Sequence, residues 1–444
     1  MNKNSNDLLT LSPRQIMIKL SVPAIIGMVV IGLYPLMDGI FAGQIIGQEA
    51  MTAAGIAMPF TYVNNGVATL IGVGSASVLS RALGEGNKET LDKIMGNLLF
   101  WVILLSTIIT VGGVLFCESL LKFVGASGVI LDYGTRYLRI IFLGSFFVNF
   151  TQSANMVMRG EGLMKRAMLI MGTGALINII LDPILMIAMG DRAIEGAAIA
   201  TVTAQIIQAM LTLNYFKNKS ETIKIGKIRL ENTIYRSVFT IGFSAMLMQV
   251  LTIVQQSLLY SQAFKYGGDD GGTIMAAALR VISFSFIPLW GMSQGLQPAI
   301  GANYGAKKYD RVKEIFKSFA IGSTLLAAIF YIPSQLFTGQ LLGLFGLKGD
   351  IISYGIPSFR MFYSVYILYG IMIMCITFFQ AIGDGKTAGA MVILRQVILF
   401  IPAIIIVPRI FGERALWFTM PAVEFLVVIF GLVKYTKAVK EFRL

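Results

Sequence analysis

Two aspartates stand inside otherwise apolar runs in the first half of the sequence: Asp38 in GLYPLMDGIFAG and Asp182 in NIILDPILM. In a bilayer interior an ionisable side chain costs about 2.5–3.5 kcal/mol on insertion scales, so acids retained there are candidates for function. Asn178 precedes Asp182 by four residues, which puts both on one helix face. Pro35 and Pro183 lack an N–H and so leave the carbonyls of Ile31 and Ile179 free. Carboxylates, an amide, freed carbonyls and the hydroxyl of Thr201 together make an oxygen-rich pocket, suited to a proton or a hard cation such as Na⁺. In so apolar a setting a carboxylate favours neutralisation by such a cation over a bare charge. The expected ion site is therefore Asp38, Asn178, Asp182 and Thr201.

Other polar residues in apolar surroundings are weaker candidates. Asn149, Gln152 and Asn155 follow one another at i,i+3 and form a stripe that either lines a cleft or hydrogen-bonds neighbouring helices. Gln255 and Gln256 share a later run, and Glu424 in TMPAVEFLVV either attracts a cationic ligand or pairs with Arg395. With no His, imidazole metal sites and His-based acid–base catalysis are excluded. Cys117 and Cys375 lie far apart in apolar runs and read as small core residues. Gly84-Glu85-Gly86-Asn87-Lys88 lacks the spacing of a phosphate loop and reads as a turn, so no ATP site is expected. Without Ser–Lys or paired catalytic acids, an intramembrane enzyme is disfavoured.

The elements that hold these residues follow from composition. Of 444 residues, 56% are hydrophobic and 13% charged, against roughly 25% charged in soluble domains; the chain is a polytopic membrane protein. Stretches of the ~20 apolar residues needed to cross a bilayer fall near 15–42, 51–80, 94–117, 134–158, 164–189, 194–216, 235–263, 273–303, 315–337, 354–381, 387–411 and 415–434. Twelve crossings put both termini on one side. That side carries 25 Lys and Arg against 8 opposite, which places it in the cytoplasm. The net charge of +13 therefore reads as loop asymmetry, with the lipid bilayer as partner and no nucleic acid. The start, MNKNSNDLLTLSPRQ, is too polar for a cleavable signal peptide.

The polar segment 217–234 divides the chain into lobes 1–216 and 235–444. Sliding the halves by 221 positions aligns LGEGNKETLDKIM with YGAKKYDRVKEIF, Gly74 with Gly295 and Arg139 with Arg360; a slide of 223 aligns Gly160-Glu161-Gly162 with Gly383-Asp384-Gly385. The expected fold is all-α, with twelve transmembrane helices in two pseudo-symmetric six-helix lobes of the same orientation. The acids are not repeated: Asp38 corresponds to Leu259, and Asp182 to Ala403 or Ile405. At 1.5 Å rise per residue, Asp38, Asp182 and Thr201 sit roughly 8–12 Å below the outer ends of their helices.

VPAIIGMVVIGLYPLMDGIFAG, SVLSRALGEGNKE, MRGEGLMKRAMLIMGTGALINIILDPILM, GAAIATVTAQ and PAIGANYGAKKYDRV together resemble the multidrug and toxic compound extrusion (MATE) family, in its DinF-like and MepA-like bacterial branch. The resemblance covers nearly the whole chain. It implies a V-shaped cleft between two lobes and export of cationic amphipathic compounds driven by H⁺ or Na⁺, with no cofactor. Its implied cation site falls on Asp38, Asn178, Asp182 and Thr201, the same set; substrate contacts are expected at Asn149, Gln152, Asn155, Gln255 and Glu424. A second-lobe carboxylate used by another branch is missing, because that span carries Gln255 and Gln256 and no acid. The expected place is the cytoplasmic membrane of a bacterium, with one chain sufficient as a monomer. The rival reading is a flippase for a lipid-linked saccharide, which needs cationic residues such as Arg280, Arg360 and Arg395 around a pyrophosphate.

Overall fold

A computed structural model describes residues 3–220, 222–228, 230–345, 347 and 349–442, except the side chains of 3–5, 33–36, 39, 43, 48 and 51. Pro35 falls among those side chains, and Arg229, Lys348 and Arg443 of the charge asymmetry lie outside the described residues. Among the described residues there is helix and no strand. In chain order the helices are α1 (Lys3–Thr10), α2 (Pro13–Phe41), α3 (Gln48–Glu85), α4 (Lys88–Phe123), α5 (Gly128–Leu143), α6 (Ser145–Gly160), α7 (Met164–Met189) and α8 (Ala193–Asn214). There follow α9 (Asn232–Gly305), α10 (Tyr309–Leu336), α11 (Thr338–Leu344), α12 (Asp350–Tyr363), α13 (Tyr369–Ile382), α14 (Gly385–Ile393), α15 (Phe400–Phe411) and α16 (Glu413–Glu441).

Helix starts are written locally. Before α2 the sequence Ser12-Pro13-Arg14-Gln15 forms a capping box: Gln15 N–H donates to Ser12 Oγ at 3.4 Å, and Ser12 N–H returns a bond to Gln15 Oε1 at 3.2 Å. Pro13 stands at the first helical position, where its missing N–H costs nothing. Ahead of α4, Asn87 Oδ1 accepts from Thr90 N–H at 3.1 Å. GEGNK is thus a turn between two helices.

α9 is 74 residues long, about 110 Å of helix, which exceeds one crossing; Gly268, with φ 59° and ψ −154°, divides it. The apolar stretch 164–219 is likewise two crossings, divided at Gly190. With the bent pair α5–α6 as one span, and 164–219 and α9 as two each, the described residues make the expected twelve. The sequence reads 134–158 as a single helix, whereas the structure bends this span by 53° between Leu143 and Ser145. A Cβ at Gly144 would stand 2.7 Å from Val202 Cγ2, so the bend occurs where α8 presses closest.

Left-handed backbone positions recur through the two halves at an offset of 221: Gly47 and Gly268, Gly86 and Lys307, Gly128 and Gly349, Gly162 and Gly383. The helix-ending hydrogen bonds recur with them. Leu163 N–H reaches Met158 O as Asp384 N–H reaches Phe379 O, and Asn87 N–H reaches Ala82 O as Lys308 N–H reaches Asn303 O. Gly162 therefore corresponds to Gly383 at 221 and not at 223: the Gly-x-Gly spelling coincides at 223, but the left-handed cap position coincides at 221. Lys307, at φ 57°, holds a conformation that its partner Gly86 adopts without penalty. Lys307→Gly relieves a left-handed penalty of roughly 1–2 kcal/mol, offset by about 0.5–1 kcal/mol of glycine's extra unfolded freedom, so a slightly higher Tm in detergent is expected, with transport unchanged.

By internal packing the chain forms two units, one of Met1–Asp7 and Ile26–Gly242, the other of Leu8–Ile25 and Phe243–Leu444. α3 is the central helix of the first, with 89% of its apolar window buried. In the second, a ladder of stacked rings, Phe359, Tyr363, Tyr366 and Tyr369, runs through α12 and α13. The described residues of 220–231 form neither helix nor strand, but they are held to the first unit: Ile223 is fully buried and Glu231 N–H donates to Asn97 Oδ1 at 3.3 Å.

Outside the spans, the turn from α6 to α7 buries Glu161. Burial pushes its carboxyl up to about 8, against the opposing pull of the Tyr215 hydroxyl, which donates to Oε2 at 3.2 Å, and of the Arg166 charge. A carboxyl raised on folding stabilises the fold where it is protonated, and that contribution is lost as pH rises from the unfolded value toward about 8. Apparent Tm in detergent should fall by several degrees between pH 5 and 9, with a flatter profile in Glu161→Gln.

Candidate functional site

α7 and α8 bring three of the expected residues together. Asn178 Nδ2 donates to Asp182 Oδ1 at 3.1 Å, one turn along α7, and to Thr201 Oγ1 on α8 at 3.1 Å. The reach to Thr201 depends on close backbones: a Cβ at Gly196 would stand 2.7 Å from the Leu185 carbonyl oxygen, so only glycine lets α8 lie this near α7. All three residues are buried. Asp182 Oδ2 and Asn178 Oδ1 are buried with no hydrogen-bond partner among the described residues. α7 continues through Pro183, which offers no N–H to Ile179.

Asp38, near the end of α2, is half-buried and takes a hydrogen bond from the Tyr137 hydroxyl of α5 at 3.4 Å. Every member lies in the first unit. Beside them is a cavity of about 130 Å³ with Tyr137, Asn178 and Thr201 in its wall. Its remaining polar lining is Thr61 and five amides, Asn64, Asn65, Gln152, Gln205 and Gln208, with no Lys or Arg among the described residues. Two carboxylates, each with one hydrogen-bond donor, thus stand beside a chamber with an uncharged polar wall.

The stripe on α6 divides by role. Gln152 lines the cavity and donates to Asn65 Oδ1 at 3.0 Å. Asn149 is fully buried against Asn64 and Ser106, at 3.2 and 2.9 Å, and Asn155 donates to the Ala167 carbonyl at 2.7 Å, so these two join helices. In the second unit Gln255 is buried, with Nε2 lacking an acceptor among the described residues. Glu424 is paired: Arg395 donates to its Oε1 from Nε at 2.7 Å and Nη2 at 2.5 Å, and both residues are buried. Arg360 Nε bonds Thr338 Oγ1 at 3.1 Å, and Arg280 is exposed.

Sequence reasoning missed Tyr137, Asn64, Asn65, Gln205 and Gln208. For α8 a signal existed, because Thr201, Gln205 and Gln208 follow at i, i+4 and i+7 and so share one face. Asn64-Asn65 is an adjacent amide pair inside an apolar span. Tyr137 carries no such mark, since aromatic residues are common at helix ends in membranes.

The family model MatE matches residues 23–184 and 241–405. The chain is 25% identical over 398 residues to the multidrug export protein MepA of Staphylococcus saprophyticus, covering 89% of this chain and 87% of that protein. MepA of Staphylococcus aureus (strain COL) is 26% identical over 401 residues, with the same coverage. Among solved structures, a MATE protein in the bent conformation superposes with a TM-score of 0.93 at 26% identity, covering 100% of this chain and 99% of that one. A MOP superfamily transporter from Pyrococcus furiosus, described as having a binding pocket of reverse polarity, gives 0.92 at 25% identity with the same coverage. Twelve apolar crossings, a backbone repeated through two halves and a match across both of them lead to one conclusion: the chain belongs to the MATE family of membrane transporters.

Proposed function

We propose that the protein is a secondary-active multidrug exporter that expels cationic amphipathic compounds in exchange for H⁺ or Na⁺. The observation that carries this reading is the pair of buried, unpartnered oxygens, Asp182 Oδ2 and Asn178 Oδ1, beside Asp38 and Thr201 at the wall of an amide-lined cavity. Similarity to MepA proteins, named for multidrug export, supports the substrate class. The ion enters from outside when the site faces outward. Neutralisation of Asp38 and Asp182 alters the packing of α2 and α7 and releases the compound held by Gln152 and its amide neighbours. Facing inward, the site discharges the ion and reloads. The ion drives the cycle only through different affinities for the two states.

The bias of Lys and Arg supports a reading with both termini in the cytoplasm of a bacterial plasma membrane, and one chain holds every residue of the proposed site. A lipid-linked saccharide pyrophosphate would need converging cations. Here Arg395 is taken by Glu424, Arg360 by Thr338, and no basic residue lines the cavity, so the flippase reading is less well supported. The test loads liposomes bearing purified protein with a cationic dye and imposes a pH or a Na⁺ gradient separately. Dye movement under one gradient identifies the ion; none under either, with protein inserted, overturns antiport of cationic compounds.

A further inference from the structure

The helix that carries Asp38 begins in the other unit. Residues 8–25, the turn before α2 and its first half, pack with the second unit, whereas Ile26 onward packs with the first. That packing is close. A Cβ at Gly291 would stand 3.0 Å from Ile25 Cα, and one at Gly295 3.3 Å from the Leu20 carbonyl carbon.

Three side chains of PAIGANYGAKKYDRV converge on the turn that precedes α2. Asn303 Nδ2 donates to the Leu8 carbonyl at 2.8 Å, Lys308 Nζ to the Leu9 carbonyl at 3.3 Å, and Arg311 Nη2 to the Leu11 carbonyl. Arg311 Nε also donates to Asn303 Oδ1 at 2.9 Å, which aims the amide. Asn303 is fully buried, and Leu8 is 3% exposed. These carbonyls close α1, where the helix dipole and unfilled acceptors favour cationic donors. The first half of the chain has no equivalent charges: at an offset of 221 the positions are Ala82, Asn87 and Thr90. The donors therefore answer to residues 8–11 and not to the repeated turn as such.

We propose that Arg311, with Asn303 and Lys308, is a positioning clasp for the coupling helix, fixing the start of α2 so that ion occupancy at Asp38 moves the rest of the helix about a held end. This rests on the reading of Asp38 above. Without an anchored start, a change at Asp38 is absorbed by slipping or fraying of the first turns of α2. With it, the same change must turn or bend α2 about a fixed end.

The test uses the full chain in liposomes. Cys117 and Cys375 are both buried, so a cysteine placed by Leu8→Cys reports the clasp through a membrane-impermeant maleimide, added with the cytoplasmic face accessible. Arg311→Ala should raise its labelling rate severalfold and lower gradient-driven dye efflux roughly tenfold, as the loss of a charged hydrogen bond allows. Equilibrium dye binding should stay within about twofold of the parent, a readout that generalised unfolding would not spare. Arg311→Lys, which keeps a cationic donor, should restore most of the efflux. If Arg311→Ala does not reach the membrane, Arg311→Gln carries the same measurements. Unchanged labelling overturns the clasp. Raised labelling with normal efflux, or efflux and binding lost together, overturns the positioning role. Normal efflux in Asp38→Asn is a separate failure, of the ion-site reading, and leaves the labelling result to judge the clasp.

Discussion

Replacing Asp182 with Asn is expected to abolish gradient-driven dye efflux, at least a tenfold loss, while the protein still inserts and still binds dye. The substitution keeps shape and the hydrogen bond with Asn178 but removes the charge that, in the proposed cycle, binds and releases the ion. Since a charged carboxylate at this depth costs about 2.5–3.5 kcal/mol, the variant should be no less stable than the parent, and loss of transport cannot then be ascribed to misfolding. Asp38→Asn should behave likewise, because in the proposed cycle both carboxylates are neutralised and a site with one fixed neutral member no longer exchanges its full load. Thermal stability in detergent, dye binding and efflux under imposed gradients separate these effects. Normal efflux by both variants would falsify the ion-site assignment.

The second large effect concerns stability. Arg395 sends two donors to a single oxygen of Glu424, leaving Oε2 buried without a partner among the described residues. Tyr369 lies 5.9 Å from the guanidinium, ring face toward it. Removing one member of a buried pair strands the other charge, at a cost of about 3–5 kcal/mol. Glu424→Gln and Arg395→Met singly should therefore lower Tm in detergent by roughly 10 °C, taking ~2–4 °C per kcal/mol for a unit of this size. The double variant Glu424→Leu with Arg395→Met should recover most of that loss, since apolar replacement of both partners is often neutral. A Glu424→Gln protein as stable as the parent, but weaker in binding cationic dye, would instead return Glu424 to substrate recognition.

Sequence alone determined the crossings, because burying apolar helix in a bilayer is a property of each stretch by itself. It also determined that Asn178 and Asp182 share a face, a matter of helical periodicity, and that the halves repeat, although the offset at Gly162 had to be corrected from backbone geometry. Local caps such as Ser12-Pro13-Arg14-Gln15 were equally legible, since donor and acceptor lie within one turn. The tertiary structure decided the rest. Tyr137 reaches Asp38 across 99 residues, Gln152 faces the cavity while Asn149 and Asn155 join helices, and Glu424 takes Arg395. Each of these depends on how far a helix is rotated and how near its neighbour comes. That is set by glycines such as Gly144 and Gly196, whose meaning appears only when the facing helix is in place. The handover of α2 from one unit to the other is of the same kind: no residue within it announces the change, because the change lies in what packs against it.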